Sequence, residues 1–171
     1  MIKNNKKKKI IAYTSGYTVV ELVFYIALFV ILTLAVINAM ITMTRAFRET
    51  TIQSELLQSG NLMERISREV RASYDIASIG ATDLVLNTKD SGGANKTVEF
   101  LLSSSNLQML ENSVLTGNLN TPNITVTGLA FTQIITTKGK AVKISLTVRS
   151  NNDKLDRDKT FYNTVVLRGD Y

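Results

Sequence analysis

The stretch from Val19 to Ile41 constrains this chain more than any other. Leu22 to Ile37 is almost entirely Leu, Val, Ile, Phe and Ala, and the polar interruptions of the whole run are Glu21, Thr33 and Asn38. A helix needs about 20 predominantly apolar residues to cross a bilayer, and the run meets that length. A core helix of a soluble protein would carry a polar face over such a span. A secretory signal would have a shorter apolar region, ending in a small-x-small cleavage site. The run ends instead in Thr42-Met43-Thr44-Arg45-Ala46, a poor site of that kind. The expectation is a retained membrane helix over 17–43.

The chain carries 20 basic and 14 acidic residues, a formal charge of +6, which by itself suggests a nucleic-acid binder. Five of the basic residues (Lys3, Lys6, Lys7, Lys8 and Lys9) precede Gly16 in a stretch without an acid, leaving 15 against 14 elsewhere. The basicity belongs to the leader, so nucleic acid is not expected as a partner. Lysines on that flank predict a cytoplasmic N-terminus, with everything after Ile41 outside the cytoplasm. The sequence contains neither cysteine nor histidine. Disulfides and thiolate metal sites are thereby excluded, as are the commonest general base and the commonest metal ligand. No serine or threonine has a histidine to activate it. Catalysis, a cofactor and a bound metal are not expected.

The junction Ser15-Gly16-Tyr17-Thr18-Val19-Val20-Glu21 joins the basic leader to the apolar run. Glu21 stands five positions past the glycine, and the next acid along the chain is Glu49. A carboxylate deep in hydrocarbon costs about 2.5–3.5 kcal/mol on insertion scales, so an acid in a membrane segment usually marks function. Near the end of the span, it could instead keep its head in interfacial water. This junction, with the leader and the apolar run, resembles the processing site of type IV prepilins and type II secretion pseudopilins. The resemblance implies that a prepilin peptidase removes 1–16 by cutting between Gly16 and Tyr17, and that the new amine of Tyr17 is methylated. It also implies that Glu21 acts in assembly, pairing with the amine of a neighbouring subunit. Tyr17 stands where that family usually has phenylalanine, and Asn38 where major pilins often have a helix-bending proline.

Beyond the membrane run, Ile52, Leu56, Met63, Ile66, Val70 and Tyr74 recur at spacings that share one helical face. Glu55, Glu64, Arg65, Arg68, Glu69 and Arg71 are assigned to the solvated side, with Glu64–Arg68 and Arg71–Asp75 spaced as surface ion pairs. An amphipathic helix over 44–77 is therefore expected, with a bend or close packing at Gly60. Together with the membrane segment it makes one helix of roughly 90 Å from Tyr17 to about Ala77. After Ala77 the pattern turns to short β runs, predicting a β-rich extracytoplasmic domain over 78–171. The predicted strands are Asp83–Asn87, Thr97–Leu102, Leu107–Leu110, Ile124–Val126, Leu129–Thr136, Ala141–Arg149 and Thr160–Arg168. Between the fifth and sixth of these, Thr137-Lys138-Gly139-Lys140 has hairpin character. Lys89–Lys96, with Gly92-Gly93, lacks the spacing of a phosphate loop and reads as a flexible turn. Asn151, Asn152, Asp153, Asp156 and Asp158 offer oxygen ligands for calcium, but interleaved Lys154, Arg157 and Lys159 favour a polar turn.

The fold expected is α+β: a long N-terminal helix, membrane-spanning and then amphipathic, packed on an antiparallel β domain as in pilins. The segments Leu62–Arg71 and Lys159–Gly169 resemble minor pilins and minor pseudopilins more loosely. The function implied is a structural subunit of a pilus or secretion pseudopilus. Its partners would be the prepilin peptidase, other pilin or pseudopilin subunits, the pilus assembly platform and the membrane. Two alternatives stay open: a single-pass anchored binding domain that never polymerises, and a subunit of a DNA-uptake pilus.

Overall fold

The structure, a computed structural model, describes residues 16–137 and 139–169. The leader before Gly16 and Lys138 of the predicted hairpin loop lie outside the described residues. The chain divides into two compact units after Arg45. Helix α1 (Val19–Gln58) belongs partly to each, and α2 (Gly60–Ala72) comes next. Two antiparallel sheets complete the fold. One is a meander of β1 (Asp75–Ile79), β2 (Asp83–Lys89), β3 (Asn95–Ser103), β4 (Asn106–Glu111) and β5 (Val114–Asn118). The other contains β6 (Ile124–Thr136), β7 (Gly139–Ser150) and β8 (Asp158–Val166). The protein is thus α+β, with a long apolar N-terminal helix and a C-terminal antiparallel β domain.

In the first unit α1 starts at Thr18, whose Oγ1 accepts the backbone N–H of Glu21 at 3.2 Å. A threonine there satisfies one of the N–H groups that a helix start leaves orphaned. None of the apolar window of the helix is buried, and by length and composition the helix is long and apolar enough to cross a membrane. Thr33 and Thr42 return their hydroxyls to the carbonyls of Phe29 and Asn38, four residues back. That leaves few polar groups to solvate along the hydrocarbon-length stretch.

In the second unit α1 passes into α2 through Ser59, whose backbone stays in the right-handed helical region. Ser59 Oγ donates to the carbonyl of Glu55 at 3.1 Å, and Leu62 N–H reaches back only to Ser59. The irregularity is one tightened turn. A Cβ on Gly60 would meet nothing within 4 Å, so the close packing expected there is not what calls for this glycine.

The amphipathic helix ends at Ala72, five residues earlier than its apolar spacing predicts. Ser73 is extended, its hydroxyl donates to the Val70 carbonyl at 2.7 Å, and Tyr74 N–H already pairs with Asn87 O. Tyr74 therefore completes the stripe in spacing only. Asp75, expected to pair with Arg71, opens β1 and pairs with Lys140 instead. The pair expected between Glu64 and Arg68 is likewise replaced, by Arg65–Glu69 at 3.4 Å and Arg71–Glu64 at 3.7 Å.

One core joins the elements of this unit. Leu62, Met63, Ile66 and Val70 of α2 pack with Leu84, Leu86, Val98, Phe100, Leu107 and Met109 from the larger sheet. The alternating Val142, Ile144, Leu146 and Val148 of β7 close it from the smaller one, as the period of two requires. The predicted strands at Ile124–Val126 and Leu129–Thr136 are one strand, β6, with an irregularity between Val126 and Gly128. It pairs with β7 from Ile124↔Ser150 to Thr136↔Gly139. Strands β1 and β5 have no counterpart among the predicted strands. The turns before β4 and β5 place Ser104, Ser105, Asn112 and Ser113 at positive φ (48°, 65°, 49° and 66°), the primed geometry that matches strand twist. Serine carries that geometry at more cost than glycine, which is why the turn signal was weak.

Candidate functional site

The residues singled out at the junction lie together at the start of α1. Gly16 precedes the helix, and a Cβ built on it would meet nothing within 4 Å. Its φ does not fall in the left-handed region. Nothing within the described chain therefore demands glycine at this position. Tyr17 is 77% exposed, and its ring meets Tyr25 edge-on, with centroids 6.2 Å apart and planes at 83°. Glu21 lies in the first turn of α1, where a carboxylate also favours the helix dipole. Its only side-chain partner among the described residues is the Tyr25 hydroxyl, which donates to Oε1 at 3.4 Å. That bond is long, and it leaves about three quarters of the carboxylate's acceptor capacity open. Helix capping thus accounts for Thr18 and suits an acid at position 21, but it does not engage the acid itself.

Tyr25 is the residue of this group that sequence reasoning passed over. It stands four positions from Glu21 and eight from Tyr17, on the same helical face, and that spacing was the available signal.

The second unit holds two polar clusters between α1 and the β7–β8 loop. Glu55, assigned to the solvated face, is buried. Ser150 donates its hydroxyl to Oε2, and Asn152 donates Nδ2 to Oε1 at 2.7 Å. Helical periodicity set Glu55 opposite the stripe that holds Ile52, because it could not see the donors of Ser150 and Asn152 that meet the carboxylate. Nearer the start of α1, Arg157 makes a two-pronged contact with Glu49, at 3.1 and 2.8 Å, and its Nε reaches Asp153 Oδ2 at 2.7 Å. Hydrogen bonding to Arg157 and then to Gln53 holds the Glu49 carboxyl below its ordinary value. Arg157, then the Leu155 N–H, does the same for Asp153. The guanidinium is pushed upward by Glu49 and then Asp153.

These contacts decide what the oxygen-rich loop can do. Asp158 accepts from Arg149 at 2.9 Å, Asp156 lies 3.4 Å from the same guanidinium, and Asn151 binds Thr125 and the Pro122 carbonyl. Oxygens of Asn151, Asp153, Asp156 and Asp158 thus already face cations or donors of the chain, an arrangement that suits a polar turn. Among the described residues no group of three or more acidic, histidine or cysteine side chains is placed to hold a metal ion. The Gly92-Gly93 turn is organised by Asp90, whose Oδ1 accepts from the N–H groups of Gly92 and Ala94 at 2.8 and 2.9 Å.

Comparison with known protein families, curated proteins and solved structures finds no match to this chain.

Proposed function

We propose that this chain is a type IV pilin-like structural subunit, of the minor pilin or minor pseudopilin kind. It is processed between Gly16 and Tyr17 and assembles through its N-terminal helix into a pilus or secretion pseudopilus. The observation that carries the reading is Glu21: an acid at the start of an otherwise exposed apolar helix, with one long hydrogen bond from Tyr25. Such a carboxylate is worth keeping if a cation from another molecule meets it. The methylated amine of Tyr17 on a neighbouring subunit is the cation the junction provides, and opposite charges attract strongly in a low-dielectric setting. Gly16 supports the same reading, because no contact among the described residues calls for a glycine there. A peptidase subsite that admits only glycine would.

On this reading the protein waits in the cytoplasmic membrane with its β domain outside. It then leaves the bilayer for a filament or tip complex built with other pilin-like subunits on an assembly platform. The test is N-terminal sequencing of the protein purified from membranes of cells with an active prepilin peptidase. A chain beginning at N-methyltyrosine 17 is expected. A chain that keeps residues 1–16 under those conditions refutes the proposal.

A further inference from the structure

The β-bearing unit carries a further surface, separate from the clusters around Glu55 and Glu49. Arg68 and Arg71 of α2 and Arg168, just past β8, line an open cleft of about 480 Å³ whose remaining walls are Ala72, Val166 and Leu167. Of the other arginines of this unit, Arg65 is matched with Glu69, Arg149 with Asp158 and Arg157 with Glu49, while Arg48, which does not line the cleft, has no ion pair among the described residues. Arg68 and Arg168 have no carboxylate partner among the described residues, and Arg71 reaches Glu64 only at 3.7 Å with both side chains more than half exposed. Arg71 suits the last turn of its helix through the dipole. That explanation does not extend to Arg168, which arrives from another element. Three like charges gathered around one concavity repel each other unless an anion joins them. Val166, 61% exposed, adds an apolar wall that a free inorganic ion would not use.

We infer that this cleft docks an acidic, aliphatic-bearing segment of a partner protein, its carboxylates on Arg68 and Arg168 and an apolar side chain against Val166. Guanidinium groups favour carboxylates because their fork matches two oxygens at once. Nucleic acid fits less well: the basic track is one cleft long, and Glu64 reaches the lining residue Arg71. The inference does not depend on assembly into a filament, since it rests on the second unit alone.

The test uses the full chain in a non-ionic detergent and a fluorescent, end-blocked peptide of alternating glutamate and leucine. The control peptide has glutamine at each glutamate. Anisotropy should show salt-sensitive binding of the acidic peptide and little of the control. R68Q/R168Q should weaken binding by about tenfold while the thermal melt stays unchanged, because neither arginine has an ion pair to lose among the described residues. Replacing Lys6, Lys7, Lys8 and Lys9 by glutamine should change it by less than about threefold, which separates the cleft from the leader. Equal binding of both peptides, or undiminished binding by R68Q/R168Q, overturns the inference. So does preferential, arginine-dependent binding of phosphatidylglycerol vesicles or single-stranded DNA over the peptide. A large gain in peptide affinity on Asp170→Asn would also overturn it, since the ligand would then be the chain's own carboxylate.

Discussion

Glu55→Ala tests whether the buried clasp of Glu55, Ser150 and Asn152, and not the apolar stripe alone, holds the end of α1 against the β domain. The substitution removes two hydrogen bonds to a carboxylate, from Ser150 and Asn152, at a site where Ser150 is 1% exposed and Glu55 8%. Bonds to a charged acceptor contribute about 1.5–3 kcal/mol each, and a buried donor left without an acceptor adds its own desolvation cost. Against this, the variant no longer desolvates a carboxylate, which returns part of the loss. The net expectation is a destabilisation of about 2–3 kcal/mol, or roughly 6–9 °C in melting temperature for a body of this size. Glu55→Gln keeps an acceptor for Asn152 while the Ser150 hydroxyl turns to accept from the new amide, so it should cost about 1 kcal/mol. The assay is thermal unfolding of the full chain in non-ionic detergent, monitored by circular dichroism in the β region. A double-mutant cycle with Ser150→Ala isolates the pair, with coupling of about 1 kcal/mol or more expected. If Glu55→Ala melts with the parent and the cycle shows no coupling, the carboxylate is not a buried acceptor and the clasp does not exist.

Gly16→Val should block processing, because a branched side chain cannot enter a subsite shaped for glycine; accumulation of the full-length protein by mass spectrometry is the expected result, and normal maturation would rule out the cut site. Glu21→Ala should insert and mature normally, since it removes a costly group from the apolar run, yet lose crosslinking to other pilin-like subunits. Full crosslinking at equal membrane level would mean that Glu21 only keeps its head in interfacial water. The Glu49–Arg157–Asp153 contact should also make stability depend on acid. Both carboxyls are held below their ordinary values of 4.5 and 3.8, so their contribution is present above those values and is lost as pH falls through the lower folded-state values. Arg157→Gln should flatten the melting temperature against pH below about 4, and an unchanged profile would refute the pairing.

The long apolar helix and the β hairpin of β6 and β7 were legible in the sequence for one reason: each follows a pattern that only one geometry satisfies. An apolar stretch from Val19 to Ile41, interrupted by Glu21, Thr33 and Asn38, has no polar face to offer, and Val142, Ile144, Leu146 and Val148 can share a surface only in a strand. Gly16, Tyr17 and Glu21 stood out for the same kind of local reason, since their meaning lies in their order along the chain. What the tertiary structure decided was every feature whose partner comes from far away. Glu55 looks like a surface acid until Ser150, 95 residues on, supplies a donor and the loop above it excludes water. Asp75 is in reach of Arg71 along a helix, but the helix stops at Ala72 because Ser73 caps it and Tyr74 finds Asn87. Arg157 read as a charge spoiling a calcium loop and is also the cation that joins Asp153 of that loop to Glu49, 108 residues earlier. Arg68 and Arg168 gained their shared cleft in the same way. Periodicity reports which side of an element is apolar, whereas the fate of a charge depends on what the folded chain brings to it.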